Sequence, residues 1–394
     1  MCGGRRASIF TCWARLLMAD EGLTALVIFG TRPEAVKMAP VVAELSRRRG
    51  VTCRVCVTAQ HRQILDQVID LFGIRPDYDL DIMRPDQSPS EVAAAVFSGL
   101  GQVFDSCAPD WVLVQGDTTT VMAASLAAYY HRLRIGHVEA GLRTGDKWSP
   151  FPEEINRRVA GVVADLHFAP TDWARDNLLR EGVPEDRIVV TGNPVIDALQ
   201  AIAAQPYVFD RGPLGEIPAE RRLIVVTAHR RESFGRPLEL VFTVIRQLAE
   251  TYAEDIHIVY PVHPNPQVRE PAYRILGGMP NVSLVEPLDY LPMVHLMKRA
   301  ALILTDSGGI QEEAPALGVP VLVMRDKTER PEAISAGTAR LVGTQPEQIL
   351  DAARRLLDDP AEHAAMARAA NPFGDGHAAK RIVDALLAYH AGGG

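Results

Sequence analysis

Two carboxylates stand just after short apolar runs and a third opens a helical pattern, with basic residues in neighbouring loops. That combination suits proton transfer beside a bound anion. Glu139 closes the apolar run 135–138 and opens Glu139-Ala140-Gly141-Leu142-Arg143-Thr144-Gly145-Asp146. An unpaired charge at the end of an apolar strand is costly, so this carboxylate is either paired with a cation or poised for proton transfer. Asp117 follows 111–115 in Gly116-Asp117-Thr118-Thr119. It reads as the cap of the next helix or as a second acid/base group. Glu153 lies four residues before Arg157 in Pro152-Glu153-Glu154-Ile155-Asn156-Arg157, a spacing that also suits a plain helix-surface ion pair.

Anion-binding signals sit in the other loops. Gly30-Thr31-Arg32-Pro33-Glu34 follows the first apolar run, with Lys37 in the helix beyond. Pro33 suits a first helical turn, so free amides and Arg32 are expected to face an anion. His229 and Arg230 follow 223–227, and His263 follows 256–260. Thr305-Asp306-Ser307-Gly308-Gly309 precedes a helical run at 310–317. Ser307, Gly308 and Gly309 predict a strand-to-helix turn with free amides and room for a phosphate. Glu312 and Glu313 fall in the next turn, within reach of a sugar diol.

The elements that must hold these groups follow from periodicity. Strand-like runs at 23–30, 51–58, 111–115, 135–139, 165–169 and 187–191 alternate with helical patterns at 33–49, 63–72, 90–107, 119–131, 153–163 and 173–181. After a Pro- and Gly-rich stretch at 201–222 the alternation restarts, with strands at 223–227, 256–260, 282–285, 301–305, 320–324 and 339–342. Two such series predict two doubly wound α/β domains with parallel sheets. Ligands of such sheets sit beyond the carboxyl ends of the strands, where these charged residues fall. The expected division is an extension over 1–22, a first domain over 23–192 and a second over 193–371, with the helical end at 372–390 crossing back onto the first.

Composition narrows the classes. The chain has 394 residues, 47% hydrophobic and 23% charged, with 41 basic against 49 acidic residues and a formal net charge of −8. These values fit a globular protein and disfavour a nucleic-acid wrapper. No apolar run approaches the roughly 18 residues of a membrane span. Five cysteines suggest reduced thiols and a cytoplasmic setting. Cys53 and Cys56 have C-x-x-C spacing but lie on a strand, where residues three apart face opposite sides. No metal site and no cofactor are expected.

The longer motifs carry a resemblance. FGTRPEAVKMAP at 29–40, TAQHR at 58–62, GDTTT at 116–120, HVEAGLRTGD at 137–146 and PEEINR at 152–157 resemble the bacterial non-hydrolysing UDP-N-acetylglucosamine 2-epimerases. So do HRRESFG at 229–235, YPVHPNP at 260–266 and TDSGGIQEEAPALGVPVLVMRDKTERPEA at 305–333. The likeness runs from about 23 to about 387. It implies two Rossmann-like domains in a glycosyltransferase-B-like fold, with the active site in the cleft, and a homodimer. It also implies interconversion of UDP-GlcNAc and UDP-ManNAc through 2-acetamidoglucal, supplying cell-surface polysaccharide.

By the same resemblance Asp117, Glu139 and Glu153 match carboxylates of the acid/base chemistry, and His229 matches a histidine important for activity. Arg32, Lys37, Arg157 and His263 match residues near the diphosphate or supporting the catalytic groups. Ser307, Gly308 and Gly309 match the phosphate turn, and Glu313 the ribose ligand; backbone near 287–291 is expected to hold the uracil. Several members bind a second UDP-GlcNAc as activator, and Gln60, His61, Gln63 and Gln87 fall where that site would be. Asp86 stands where some activated members carry Arg, which puts a strong second site in doubt. Gln115 replaces a His, and Ala228 a Gly, of many members. The rival readings are a hydrolysing epimerase releasing UDP and ManNAc, a retaining glycosyltransferase and a non-catalytic UDP-sugar-binding regulator.

Overall fold

The structure, a computed structural model, describes residues 22–58, 62–84, 86–209, 214–230 and 233–392, without the side chains of residues 62–64. Most of the expected extension therefore lies outside the described residues. Among the described residues thirteen strands form two all-parallel sheets. The first contains β1 (Leu23–Phe29), β2 (Val51–Val57), β3 (Tyr78–Asp79), β4 (Trp111–Gln115), β5 (Arg134–Val138), β6 (Leu166–Ala169) and β7 (Ile188–Val190). The second contains β8 (Arg222–Thr227), β9 (Ile256–Pro261), β10 (Val282–Val285), β11 (Ala300–Thr305), β12 (Val321–Val323) and β13 (Ala339–Leu341). Only the edge strand β3 was not legible, because two residues carry no periodicity.

The strand orders are β3-β2-β1-β4-β5-β6-β7 and β10-β9-β8-β11-β12-β13. Each order reverses once, between β1 and β4 and between β8 and β11, which opens a crevice beyond the carboxyl ends at those points. The loops after these four strands are those carrying Arg32, Asp117, His229 and Ser307. Threonine hydroxyls meet beside each crevice: Thr58 and Thr120 at 3.2 Å, Thr227 and Thr305 at 2.6 Å. Gly30 is required at the first, since a Cβ there would lie 2.0 Å from Thr58 Oγ1.

Apolar side chains cover both faces of each sheet. One core runs through both halves, joining Phe29, Trp111 and Phe168 to Val225, Val259 and Ile303. Separate cores fill the outer faces, one around Val112, Leu100 and Val121 and one around Phe242, Tyr260 and Ile349. Cys53 packs against the shared core while Cys56 enters an outer one, so the two thiols diverge. Burial pushes their thiols up to about 11 and about 12, which leaves them unreactive at neutral pH.

The chain passes between the sheets twice, and the passages touch. The Asn193 backbone N–H donates to the Phe373 carbonyl at 2.7 Å, and a Cβ on Gly192 would lie 3.2 Å from the Gly374 Cα. Beyond the second passage, helix Ala378–Ala391 lies on helix Arg32–Arg47. Asp197 caps its first turn, accepting from the Ala378 and Ala379 amides at 3.1 and 2.9 Å. Among the described residues no helix is long and apolar enough to cross a membrane.

Candidate active site

Glu139 is the hub of the cleft. It directly follows β5 with φ of +61°, a left-handed conformation that costs a non-glycine residue energy and marks sites where geometry is imposed for function. Lys37 Nζ donates to both its oxygens, at 2.7 and 2.8 Å. The Gln115 amide donates to Oε2, and the Asn193 amide to Oε1 at 3.0 Å. Arg330 Nη2 lies 4.0 Å away. Burial pushes the Glu139 carboxyl up, but Lys37, Arg330 and the donated hydrogen bonds outweigh it and hold it below its ordinary value. For Lys37, burial acts downward and the charges of Glu139 and Glu312 prevail upward.

The second cluster joins β4 to helix Glu153–Val163. Arg157 donates to Asp117 Oδ2 and, at 3.4 Å, to Glu154 Oε2. Thus Arg157 pairs with Asp117 and Glu154 rather than with Glu153, four residues before it. Glu154 is fully buried and also accepts from Arg158 Nε at 3.1 Å and from the Thr144 and Gly145 amides at 3.0 and 3.3 Å. One carboxylate therefore binds the loop after Glu139 to the helix that carries Glu153. The helix after β4 is capped by Thr118, not Asp117, which leaves the Asp117 carboxylate to Arg157 and the cleft. Glu153 Oε2 is buried without a hydrogen-bond partner among the described residues.

The loop after β1 departs from the expectation of free amides. Thr31 and Glu34 form a reciprocal capping box. The Glu34 carboxylate accepts from the Gly30 and Thr31 amides at 2.9 and 2.7 Å and from the Thr118 hydroxyl at 2.6 Å. Those donors are occupied, so anion affinity in this loop rests on Arg32 and Lys37. Arg32 acts electrostatically across the cleft on Glu313 and Tyr290.

The opposite wall comes from the second sheet. Asp306 Oδ2 accepts from the His229 and Arg230 amides at 2.6 and 2.8 Å, fixing the loop after β8. His229 Nδ1 stands 3.4 Å from Asp306 Oδ1, and its ring stacks on His263 with centroids 5.5 Å apart. Burial, then His229, pushes His263 below its ordinary value. Ser307 N–H donates to Thr305 Oγ1 at 2.9 Å. Its hydroxyl makes no capping bond to helix Gly308–Ala316, which leaves that positive N-terminus for an anion. Glu313 accepts from the Tyr290 hydroxyl at 3.1 Å. Burial, supported by neighbouring Glu312, raises its carboxyl to about 7.

Arg330 donates to Glu312, and the Asn193 amide bridges Glu312 and Glu139. An interdomain cavity of about 760 Å³ opens nearby, between Arg143 and Thr144 on one wall and Ser233, Arg325 and Glu329 on the other. Lys37, Glu139, Asp117 and Arg157 thus belong to linked clusters on one wall, with His229, His263, Ser307 and Glu313 on the other. Gln60 and His61 lie outside the described residues, as does the side chain of Gln63. Gln87 folds its own loop, donating to the Ile82 carbonyl at 3.0 Å and accepting from the Arg84 amide at 2.8 Å.

The family described as UDP-N-acetylglucosamine 2-epimerase matches residues 43–387. The chain belongs to the UDP-N-acetylglucosamine 2-epimerase family. Within it, the Escherichia coli K12 UDP-N-acetylglucosamine 2-epimerase is 55% identical over 370 residues, covering 92% of this chain and 98% of that one. The Neisseria meningitidis UDP-GlcNAc 2-epimerase, solved bound to UDP-GlcNAc, superposes with a TM-score of 0.87 at 48% identity, covering 93% and 100% of the two chains. The glycotransferase of kitacinnamycin matches with a TM-score of 0.63 at 14% identity, a likeness of fold alone. The two-domain architecture of this epimerase-family chain is glycosyltransferase-B-like.

Several residues of the epimerase-family site escaped the motif reading. Glu34, Glu154, Asn193 and Arg330 are buried or half-buried partners of the expected residues. Asn193 before Pro194 is a helix-cap signal, and its side chain does accept from the Val195 amide. Its bridging of two carboxylates has no sequence signature.

Proposed function

We propose that the chain interconverts UDP-GlcNAc and UDP-ManNAc without net hydrolysis. A carboxylate takes the C2 proton, the C2–H electron pair becomes the C1=C2 bond of 2-acetamidoglucal, and the C1–O pair leaves with UDP. Re-addition of UDP at C1, with a proton delivered to the other face of C2, gives the epimer. Two faces require more than one acid/base group, and Asp117, Glu139 and Glu153 fill those roles. Arg32, Lys37, Arg157, His229 and His263 stabilise the departing diphosphate or the groups around it. Ser307, Gly308 and Gly309 receive the phosphates and Glu313 the ribose.

The observation that carries this reading is the juxtaposition of Glu139, held ionised and left-handed, with the uncapped helix Gly308–Ala316 through Asn193 and Glu312. The UDP-GlcNAc bound by the Neisseria relative supports the substrate. The protein acts in the cytoplasm, where unreactive free thiols such as Cys53 and Cys56 persist, and its product supplies cell-surface polysaccharide. A homodimer fits the apolar side chains left on neighbouring helices and the loop between them, among them Tyr129 (57% exposed), Tyr130 (70%), Phe151 (61%) and Ile155 (42%). Activation by a second UDP-GlcNAc is weak in this reading, because Asp86 stands where some activated members carry Arg.

Incubation with UDP-GlcNAc in D2O, followed by proton NMR, tests the proposal. UDP-ManNAc with deuterium at C2 and little free UDP is expected. Free UDP with ManNAc would establish the hydrolysing rival, and binding without exchange a regulator. Sedimentation velocity reads the dimer.

A further inference from the structure

Two buried carboxylates, one from each half of the molecule, share a single neutral residue. The Asn193 side chain is buried, and its Nδ2 donates to Glu139 Oε1 at 3.0 Å and to Glu312 Oε2 at 2.8 Å. A primary amide has two N–H donors, so both are occupied, one on each carboxylate. Its Oδ1 accepts from the Val195 amide at 3.3 Å and caps helix Pro194–Ala203. Its own backbone N–H is held by Phe373 of the second passage. Glu312 is paired with Arg330 and precedes Glu313 in helix Gly308–Ala316.

We infer that Asn193 is a positioning residue that couples Glu139 to the nucleotide-gripping helix, holding the carboxylate in place through an amide that Glu312 simultaneously fixes. The inference rests on the epimerase reading above. A buried acceptor that loses its donor carries an uncompensated desolvation cost. Moving helix Gly308–Ala316 away would therefore drag the amide with Glu312 or leave one carboxylate short of a donor. In either case the surroundings of Glu139 change. Proton transfer at C2 is then supported only while the helix holds UDP, which keeps the glucal and UDP together between the two half-reactions. A neutral amide suits this position: Asp would place three carboxylates in contact, and a shorter side chain would not reach both.

Asn193→Ser and Asn193→Asp both retain a side chain that can cap the helix, so the amide is removed without removing the cap. Asn193→Ser is expected to lower kcat about 10- to 100-fold, the effect of one hydrogen bond to a charged group, with KM nearly unchanged. Free UDP and 2-acetamidoglucal should accumulate in its NMR spectrum. The acidic limb of the kcat/KM profile should move to higher pH, further in Asn193→Asp, because a like charge beside Glu139 favours its protonated form. Wild-type kcat and acidic limbs in both folded variants overturn the inference, as does a change in KM alone. If Asn193→Ser fails to fold, Asn193→Asp decides by the same limb. Carboxyl carbon NMR of Glu139 keeps the outcome separate from the epimerase reading: a wild type without turnover removes that reading, whereas an unchanged Glu139 titration in the variants removes this one.

Discussion

Lys37 Nζ sits astride the Glu139 carboxylate, 2.7 Å from one oxygen and 2.8 Å from the other, with both side chains largely removed from solvent. Removing one partner of such a pair leaves an uncompensated buried charge, at a cost of about 3–5 kcal/mol. Lys37→Met should lose that much stability at neutral pH, read by urea unfolding. Because Glu139 is held below its ordinary 4.5, its stabilising contribution exists above that value and disappears as pH falls through the native one. The gap between wild type and Lys37→Met should therefore narrow under acid; a gap independent of pH would show that packing, not charge, is lost.

Asp117→Asn should abolish turnover yet still bind UDP. The substitution preserves shape while removing the charge that Arg157 holds. Deuterium incorporation at C2 and calorimetric UDP binding measure the two halves separately. Turnover at the wild-type rate would take Asp117 out of the mechanism.

Glu154→Gln should loosen the loop after Glu139 without touching substrate. It leaves Arg158 without its buried counter-charge and Arg157 with Asp117 alone, with an expected loss of about 1.5–3 kcal/mol. Hydrogen exchange localises the effect: the Thr144 and Gly145 amides, which donate to Glu154, should lose protection ahead of the neighbouring sheet. Unaltered protection there would mean that the loop is held by other contacts.

Glu313 ties nucleotide binding to pH. Its carboxyl is raised to about 7, so between 4.5 and 7 the native protein holds a proton the unfolded chain does not, and stability from this group declines as pH rises across that window. Ribose hydroxyls donating to the carboxylate favour its ionised form. UDP-GlcNAc binding at mildly acidic pH should then release most of a proton, and KM should fall as pH approaches neutrality. Calorimetry in buffers of differing ionisation enthalpy checks this; Glu313→Gln should abolish the release.

The extent to which the sequence discloses all this follows from how local each signal is. Strand ends such as Thr227 and Thr305 were legible because the continuous apolar runs stop at them. Glu139 stood out as a charge closing an apolar strand. The partner of Arg157 was not legible, since helix spacing proposes Glu153 while the tertiary fold brings Asp117 from another loop. Thr118, rather than Asp117, took the cap for a similar reason: the preceding carboxylate had a distant cation to meet. The Thr31–Glu34 capping box was written in the sequence, yet its effect was to consume the amides expected to bind an anion. Asn193 shows the limit most clearly, because its two acceptors lie 54 and 119 residues away.

The paired passages at Gly192–Asn193 and Phe373–Gly374 have a mechanical consequence. A body tied by one strap can both swing and spin. Tied by two straps fastened to each other, it keeps the swing about their common line and loses most of the spin. Opening the cleft would then resemble a book rather than a screw, so the two walls meet again in the same register at every closure. Residues as far apart in sequence as Lys37 and Glu313 can thus serve one substrate.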